Sequence, residues 1–417
     1  MLQLVRLHRS RSQLALRTES LTARPPAEID NRRIGGHPAA TRCRCLPPPT
    51  APTFPAIPTD PTHPESALSI FDRMIPDDFE QVVFCHDAAS GLRSIIAVHD
   101  TTLGPALGGV RMRAYASDEE ALIDCLRLAQ GMTLKAAVAG VNLGGAKSVI
   151  IGDPKRDKTE ALLRAHGRFI QTLNGRYIPG VDAGTGVADL ELIAVEAERV
   201  SCVRSDPSPM TALGVLEGIK ACVRARLDAD SLEGVKVLVQ GVGHVGAALA
   251  EQLLAEKAEV LVSDVDVTRA EHVADRIGAA PVNADEWLST ACDVLAPCAY
   301  GGIVDDDTVP NLRCATIAGG ANNVLAEPRH ADQLRTRGIL YAPDYCINAG
   351  GLISLEEEIL GHDRERAERR VRSVGDLVAG VIRRAEQDDV STATAAAALA
   401  AERLRSLSTV GPRFVAR

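Results

Sequence analysis

Two lysines of this chain stand where lysine chemistry is possible. Only seven of its 46 basic residues are Lys, the rest Arg. Two of the seven, Lys135 and Lys147, flank the apolar, glycine-rich run Ala136-Ala-Val-Ala-Gly-Val-Asn-Leu-Gly-Gly-Ala146. A compact ammonium can be desolvated and give up its proton, which a guanidinium cannot. Glycines beside it let a ligand approach the backbone. The plainer alternative is a pair of surface lysines next to a buried strand. A second constellation lies further on. Val235–Val239 reads as a strand, Gln240-Gly-Val-Gly-His-Val-Gly246 as a turn, Ala247–Ala255 as a helix, and Glu259–Ser263 as a strand ending at Asp264. That order, within about 30 residues, is the setting a dinucleotide fingerprint requires. Gly241 permits the tight turn, Gly243 lets a pyrophosphate approach, and Gly246 lets helix and strand pack closely. The helix start offers free N–H groups and partial positive charge to the phosphates. Asp264 can accept both hydroxyls of an adenosine ribose and would repel a 2′-phosphate. The next arginine is Arg269, so NAD is favoured over NADP.

Elements able to hold these groups can be read around them. Gln81–Cys85 and Arg93–Val98 read as strands about the turn signal Asp87-Ala-Ala-Ser-Gly91. Ser117–Gln130 reads as a helix with Ser117 as N-cap and Glu120 three residues later. Val149–Ile151 reads as a short strand and Lys158–Leu173 as a helix. Ser205-Asp-Pro-Ser-Pro209 reads as a break that is neither regular helix nor central strand, with a helix from about Ala212 to Arg226 after it. The fold class is therefore α/β in two domains. We place a substrate domain at 67–209, completed by C-terminal helices at about 363–410, and a Rossmann NAD-binding domain at 210–350, with a cleft between them.

A chain of 417 residues is too long for one ordinary core. With 46% apolar and 24% charged residues it is a globular composition, and a net charge of −9 argues against a nucleic-acid-coating protein. No apolar run is long enough to span a membrane. The ten cysteines are scattered without a CxxC, so neither a disulfide framework nor a metal site is expected, and a reducing cytoplasm suits them. Residues 1–66 are different in kind. They hold 11 of the 23 prolines, nine arginines, no lysine and five acids. We read them as a Pro/Arg-rich, disordered extension. An organelle transit peptide, or upstream sequence included by a wrong start with Met74 nearer the true beginning, are the other readings.

Several runs together resemble the leucine/phenylalanine/valine dehydrogenase family, within the wider glutamate-containing amino-acid dehydrogenases. They are Leu107-Gly-Gly-Val-Arg-Met112, Gly131-Met-Thr-Leu-Lys135, Leu143-Gly-Gly-Ala-Lys147, Gly180-Val-Asp-Ala-Gly-Thr185 and Pro207-Ser-Pro-Met-Thr-Ala212. Ala296-Pro-Cys-Ala299, Gly319-Gly-Ala-Asn-Asn323, Tyr341-Ala-Pro-Asp-Tyr345 and Asn348-Ala-Gly-Gly351 continue the series. The resemblance runs from about Glu80 to about Leu404.

It implies NAD-dependent, reversible oxidative deamination of a neutral L-amino acid, branched-chain or aromatic, by a homo-oligomer (a dimer or octamer). Lys135, with the Gly108-Gly109 backbone, would bind the substrate α-carboxylate. Lys147 would be the general base that activates water, and Asp182 its acidic partner. Asn323 would contact substrate and cofactor ribose, and Thr211 the nicotinamide carboxamide. The cofactor site would comprise Gly241, Val242, Gly243, His244, Val245, Gly246 and Asp264, with Cys298 and Ala299. Leu107, Met132, Gly180, Leu352 and Leu355 would line the side-chain pocket. Hydride would leave the α-carbon for NAD⁺, water would add to the iminium, and ammonia would depart to leave a 2-oxo acid.

The sequence departs from the family at Ala146, where a third glycine is usual, and at Leu352-Ile-Ser-Leu-Glu356, where Val-Ile-x-Val-Ala is usual. Those departures are the only support for the alternative, a non-catalytic NAD- or amino-acid-binding relative with a regulatory role. A hydroxy-acid dehydrogenase would need a His–carboxylate pair that His86, His166 and His244 do not offer.

Overall fold

A computed structural model describes residues 69–202, 206–299 and 301–408. The extension 1–66 lies outside the described residues. Two sheets form in succession. The first contains β1 (Gln81–Asp87), β2 (Leu92–Asp100), β3 (Ala106–Arg113), β4 (Gly144–Ile151) and β5 (Tyr177–Val181), in the order β1-β2-β4-β3-β5. β1 and β2 form an antiparallel hairpin, β2 runs antiparallel to β4, and β3 is parallel to both β4 and β5. The second contains β6 (Lys236–Gln240), β7 (Glu259–Ser263), β8 (Ala280–Pro281), β9 (Val294–Pro297), β10 (Thr316–Ile317) and β11 (Leu340–Tyr341), all parallel, in the order β11-β10-β9-β6-β7-β8. This is the doubly wound arrangement in which ligands gather at the carboxyl ends of the strands.

Three local readings need correction. The helix beginning after Ser117 runs from Asp118 to Val138, eight residues beyond the expected end. Ser117 does cap it, accepting the Glu120 N–H at 3.1 Å, while Glu120 reaches back to the N–H of Ala116. Gly131 weakens the helical pattern locally, but packing of Ala129, Thr133, Ala136 and Ala137 overrides that cost of about 1 kcal/mol. Lys135 therefore sits in the last turn of a helix. The strand read at Val149–Ile151 begins at Gly144, so Lys147 lies inside it. The pair Gly144-Gly145 hides the strand from propensity. Any Cβ at Gly145 would lie 2.1 Å from Thr133 Oγ1, so the close helix–strand approach excludes a side chain. Finally, the break at Ser205–Pro209 ends earlier than expected. Ser208 and Pro209 open the helix Ser208–Leu227, because a proline in the first turn gives up only an N–H that has no helical partner.

One apolar core joins the two sheets. Leu107, Ile178 and Cys202 from the first half pack in a continuous cluster with Val215, Val237, Val239 and Leu352. Of the C-terminal helices, Val374–Asp388 packs through Val374, Val378 and Ile382 into that cluster. Thr392–Ser408 instead lays Ala400, Leu404 and Leu407 on Leu134, Ala137 and Val138 of the lysine-bearing helix. Among the described residues, no helix is long and apolar enough to cross a membrane.

Candidate active site

The central strands bring the reactive groups together by simple alternation. β3 and β4 are parallel, with Val110 opposite Ser148 and Arg111 opposite Val149. Side chains two apart share a face, so Gly109, Arg111 and Lys147 look the same way. Asp182 follows β5 directly and completes the row, since Gly109 pairs with Gly180. Lys147 Nζ lies 2.5 Å from Asp182 Oδ2. A Cβ at position 109 would stand 2.7 Å from Asp182 Cβ and 3.1 Å from Lys147 Nζ. Glycine there leaves the space that the ion pair occupies.

Ala146 faces the other way. Its methyl is fully buried with Val98, Ala106, Val110 and Ile150 on the sheet face away from Lys147. The departure from the family pattern at this position thus adds core packing and leaves the lysine's surroundings alone.

Arg111 is a member of the site that sequence reasoning missed. Its Nε lies 3.1 Å from Asp182 Oδ2 and its Nη1 3.0 Å from Asp124 Oδ2, which also accepts the Tyr115 hydroxyl at 2.7 Å. The signal was available, because Arg111 is two residues from Gly109 on a strand. Burial alone would raise the Asp182 carboxyl. The Lys147 and Arg111 cations outweigh it and hold the group at about 2, so it is a permanent anion near neutral pH.

Lys135 is buried deeply enough that desolvation pushes its ammonium down to about 8. The nearby Asp344 carboxylate opposes that fall and the Lys147 cation adds to it. Asp344 is the second missed residue. It is itself raised by burial, and its oxygens accept the N–H groups of Val324 at 3.1 Å and Tyr345 at 2.7 Å. It therefore ties the loop containing Asn322 and Asn323 to the neighbourhood of Lys135. Asn323 adopts a left-handed backbone with φ of 53°.

A cavity of about 310 Å³ collects these groups. Lys135, Lys147, Asp182, Arg111, Arg127 and Gly109 line it together with the apolar Leu107, Met132, Gly180, Leu352 and Leu355. Thr211, Val245 and Asn323 close it from the other half of the chain. Gly108 stands behind Gly109, packed so tightly that a Cβ would meet Ala146 O at 1.7 Å. The Tyr177 hydroxyl donates to Gly108 O at 3.0 Å and so fixes that peptide. Asn348 is a third missed member. It is buried in the cavity wall and donates to Gly320 O, Ala321 O and Asn322 Oδ1.

The loop from Gln240 to Gly246 fits a dinucleotide. Gly241 has φ of +94° and lies against Ala299, and Gly246 is so close to Gly241 O that a Cβ would stand at 1.9 Å. Gly243 differs: a Cβ there would meet open space, which is where a pyrophosphate needs room. Gly243 also caps the helix His244–Ala255 with no side-chain bond, leaving its first N–H groups for a ligand. His244 is the first residue of that helix, well exposed, with its ring 3.8 Å from Asp206. Asp264 accepts the N–H of Val242 and of Asp266, each at 2.9 Å, and lies beside a separate hollow with Val267, Pro281 and Asn283. Arg269 reaches it at 3.4 Å. Cys298 and Ala299 follow β9, and burial pushes the Cys298 thiol up to about 12, so it is inert.

Comparison with known proteins agrees across both halves. Residues 79–199 match the Glu/Leu/Phe/Val dehydrogenase dimerisation domain, and residues 266–410 match the Glutamate/Leucine/Phenylalanine/Valine dehydrogenase model. The chain is 50% identical over 346 residues to a leucine dehydrogenase of Bacillus cereus, covering 82% of this chain and 94% of that one. It is 42% identical over 349 residues to a phenylalanine dehydrogenase of Thermoactinomyces intermedius, covering 82% and 95%. Its fold superposes on the crystal structure of L-tryptophan dehydrogenase from Nostoc punctiforme with a TM-score of 0.71 at 43% identity, over 81% of this chain and 99% of that one. These relatives are all enzymes, and nothing in them supports the non-catalytic alternative. Likeness of this extent, reaching through both sheets and the cleft they share, makes the chain a member of the Glu/Leu/Phe/Val dehydrogenase family, an NAD-dependent amino-acid dehydrogenase.

Proposed function

We propose that the substrate is a neutral L-amino acid with a branched-chain or aromatic side chain, held with its α-carboxylate at Lys135 and its α-carbon beside Lys147 and Asp182. The observation that carries this reading is one cavity whose lining combines the charges of Lys135, Lys147 and Asp182 with the apolar Leu107, Met132, Gly180, Leu352 and Leu355. Leu107, Met132, Gly180, Leu352 and Leu355 offer a side chain no hydrogen bond and no counter-charge. Burying a γ-carboxylate there would cost several kcal/mol. The names of the leucine, phenylalanine and tryptophan relatives support the same choice.

In this reading Lys135 supplies the cation for the carboxylate, and the Gly109 backbone lies alongside. Lys147 takes a proton from the water that attacks the α-carbon after hydride has left it, and returns one to the departing nitrogen, as general base and then acid. Asp182, held ionised by Arg111 and Lys147, keeps the lysine amine aimed at that carbon. The bound NAD⁺ supplies the hydride acceptor. Gly241, Gly243, Gly246 and Asp264 would hold its pyrophosphate and adenosine ribose; Thr211, Asn323, Cys298 and Ala299 would lie along the nicotinamide end. The roles divide between a substrate domain at 67–209 and an NAD domain at 210–350.

We further infer a homo-oligomer, which the dimerisation-domain match supports. A cytoplasmic setting is supported by eight free cysteines among the described residues.

Replacing Lys147 with Ala tests the assignment. NADH formation should fall by about a thousandfold or more while NAD⁺ binding, followed by calorimetry, stays near wild type. A K147A protein with near-normal kcat would end it.

A further inference from the structure

The segment between the two lysines is held by two residues far away in sequence, Glu356 and Arg403. Lys135 lies in the last turn of the helix Asp118–Val138, and residues 139–143 lead into β4. The last carbonyls of a helix have no intrahelical partner. Here Ala136 O and Ala137 O accept the N–H groups of Val141 and Gly140, and Arg403, from the C-terminal helix Thr392–Ser408, adds a side-chain donor to both. Its Nη1 donates to Ala136 O and Ala137 O at 3.0 Å each and to Val141 O at 2.9 Å, and its Nη2 donates to Asn142 Oδ1 at 2.8 Å. A cation at a helix carboxyl end also matches the helix dipole. On the same Asn142, Glu356 Oε1 accepts the backbone N–H at 2.6 Å, while its Oε2 accepts from Arg370. Glu356 is 3% exposed. The helix Gly350–Ile359 that bears it also carries Leu352 and Leu355.

We propose that Glu356 and Arg403 are positioning residues for the reaction: by clamping residues 136–142 they set the separation of Lys135 from Lys147, and through the helix Gly350–Ile359 they link it to the side-chain pocket. The inference rests on the roles given above to the two lysines. Neither residue touches the cavity. A shift of about 1 Å in a reacting group can cost up to about a hundredfold in rate. A loosened clamp should therefore appear in the amino-acid reaction and spare the dinucleotide site. Loss of Glu356 leaves Arg370 with Glu357 as a partner, so the fold retains that ion pair.

Steady-state kinetics of E356A, E356Q, R403A, R403K and E356A/R403A in the full chain would test this, with K147A as control and circular dichroism and Tm to report folding. E356A and R403A should each lower kcat/KM for the amino acid by about tenfold or more, with KM for NAD⁺ changed less than about twofold. E356Q keeps an acceptor for the Asn142 N–H and should recover to within about threefold of wild type. The double variant should lose less than the product of the single losses, because the two residues hold one segment. If the alanine variants do not fold, R403K carries the test. A lysine cannot span four acceptors in a fixed fork, so its loss should again be confined to the amino-acid term. Folded variants with wild-type kcat/KM, or equal losses in the amino-acid and NAD⁺ terms, would overturn the proposal. Should K147A also remain active, the reading of the lysines fails first; K147A inactive beside unaffected clamp variants removes this inference alone.

Discussion

Gly109 and Asp182 approach so closely across the β3–β5 seam that a Cβ on residue 109 would lie 2.7 Å from the Cβ of the aspartate. The same Cβ would lie 3.1 Å from Lys147 Nζ. Gly109→Ala should therefore separate Lys147 from Asp182. The added Cβ would also stand 2.7 Å from Val181 O, so we expect kcat to fall by about tenfold to a hundredfold and Tm to fall with it. Kinetics and thermal unfolding on one preparation decide it. Unchanged kcat would show that the pair tolerates displacement.

Lys135 predicts a pH dependence. Its folded-state value, pushed by burial from 10.5 to about 8, means that the ammonium is charged below about pH 8 and loses its proton as pH rises through that point. Binding of an unreactive carboxylate analogue that lacks an amine should weaken above about pH 8, by up to tenfold per unit. The stability effect has the opposite sense. Between about 8 and 10.5 the unfolded chain binds more protons at this residue, so the penalty of the buried ammonium is full below pH 8 and relieved as pH climbs. An inhibition constant that stays flat from pH 7 to 10 would contradict the assignment of Lys135.

Asp264 predicts cofactor choice. Its carboxylate is paired with Arg269 at 3.4 Å, so removing it both lifts the repulsion of a 2′-phosphate and frees a cation beside it. Asp264→Ser alone should raise the NADP/NAD ratio of kcat/KM by about tenfold or more. Total activity should drop, because Val242 loses the acceptor for its N–H. A wild-type preference for NADP would show the carboxylate argument to be wrong.

Gly180 predicts a size effect. A methyl added there would meet Ser201 Oγ at 2.9 Å and Cys202 Sγ at 3.4 Å. Cys202 lines the cavity, so Gly180→Ala should move that wall along with adding bulk. The loss in kcat/KM should be greatest for phenylalanine and smallest for valine, with a difference of about tenfold. Equal losses for both would remove Gly180 from the pocket wall.

Much of this site could be read in the sequence because its chemistry is local. The turn at Gln240–Gly246 and the acid at Asp264 fall within one strand–helix–strand unit, and they stand as expected. The lysines were found because this chain otherwise uses arginine. Arg111 was overlooked although it lies in a recognised run; only the β3 register, two residues from Gly109, shows that it faces Lys147. Asp344 also lies in a recognised run, but its role depends on its placement next to a helix more than 200 residues earlier. The length of the helix carrying Lys135 was underestimated because Gly131 signals a break that tertiary packing overrides. Ala146 neighbours Lys147 in sequence, yet strand alternation puts the two on opposite faces.

The central claim is that one cavity joins Lys135, Lys147 and Asp182 to an apolar side-chain pocket and so oxidises neutral amino acids. It is tested most directly by NADH formation from NAD⁺ with leucine, valine, phenylalanine and glutamate on the purified protein. The account predicts that kcat/KM for at least one of the three neutral substrates exceeds that for glutamate by about a hundredfold or more. Glutamate as the best substrate, or no NADH from any of the four, would contradict it.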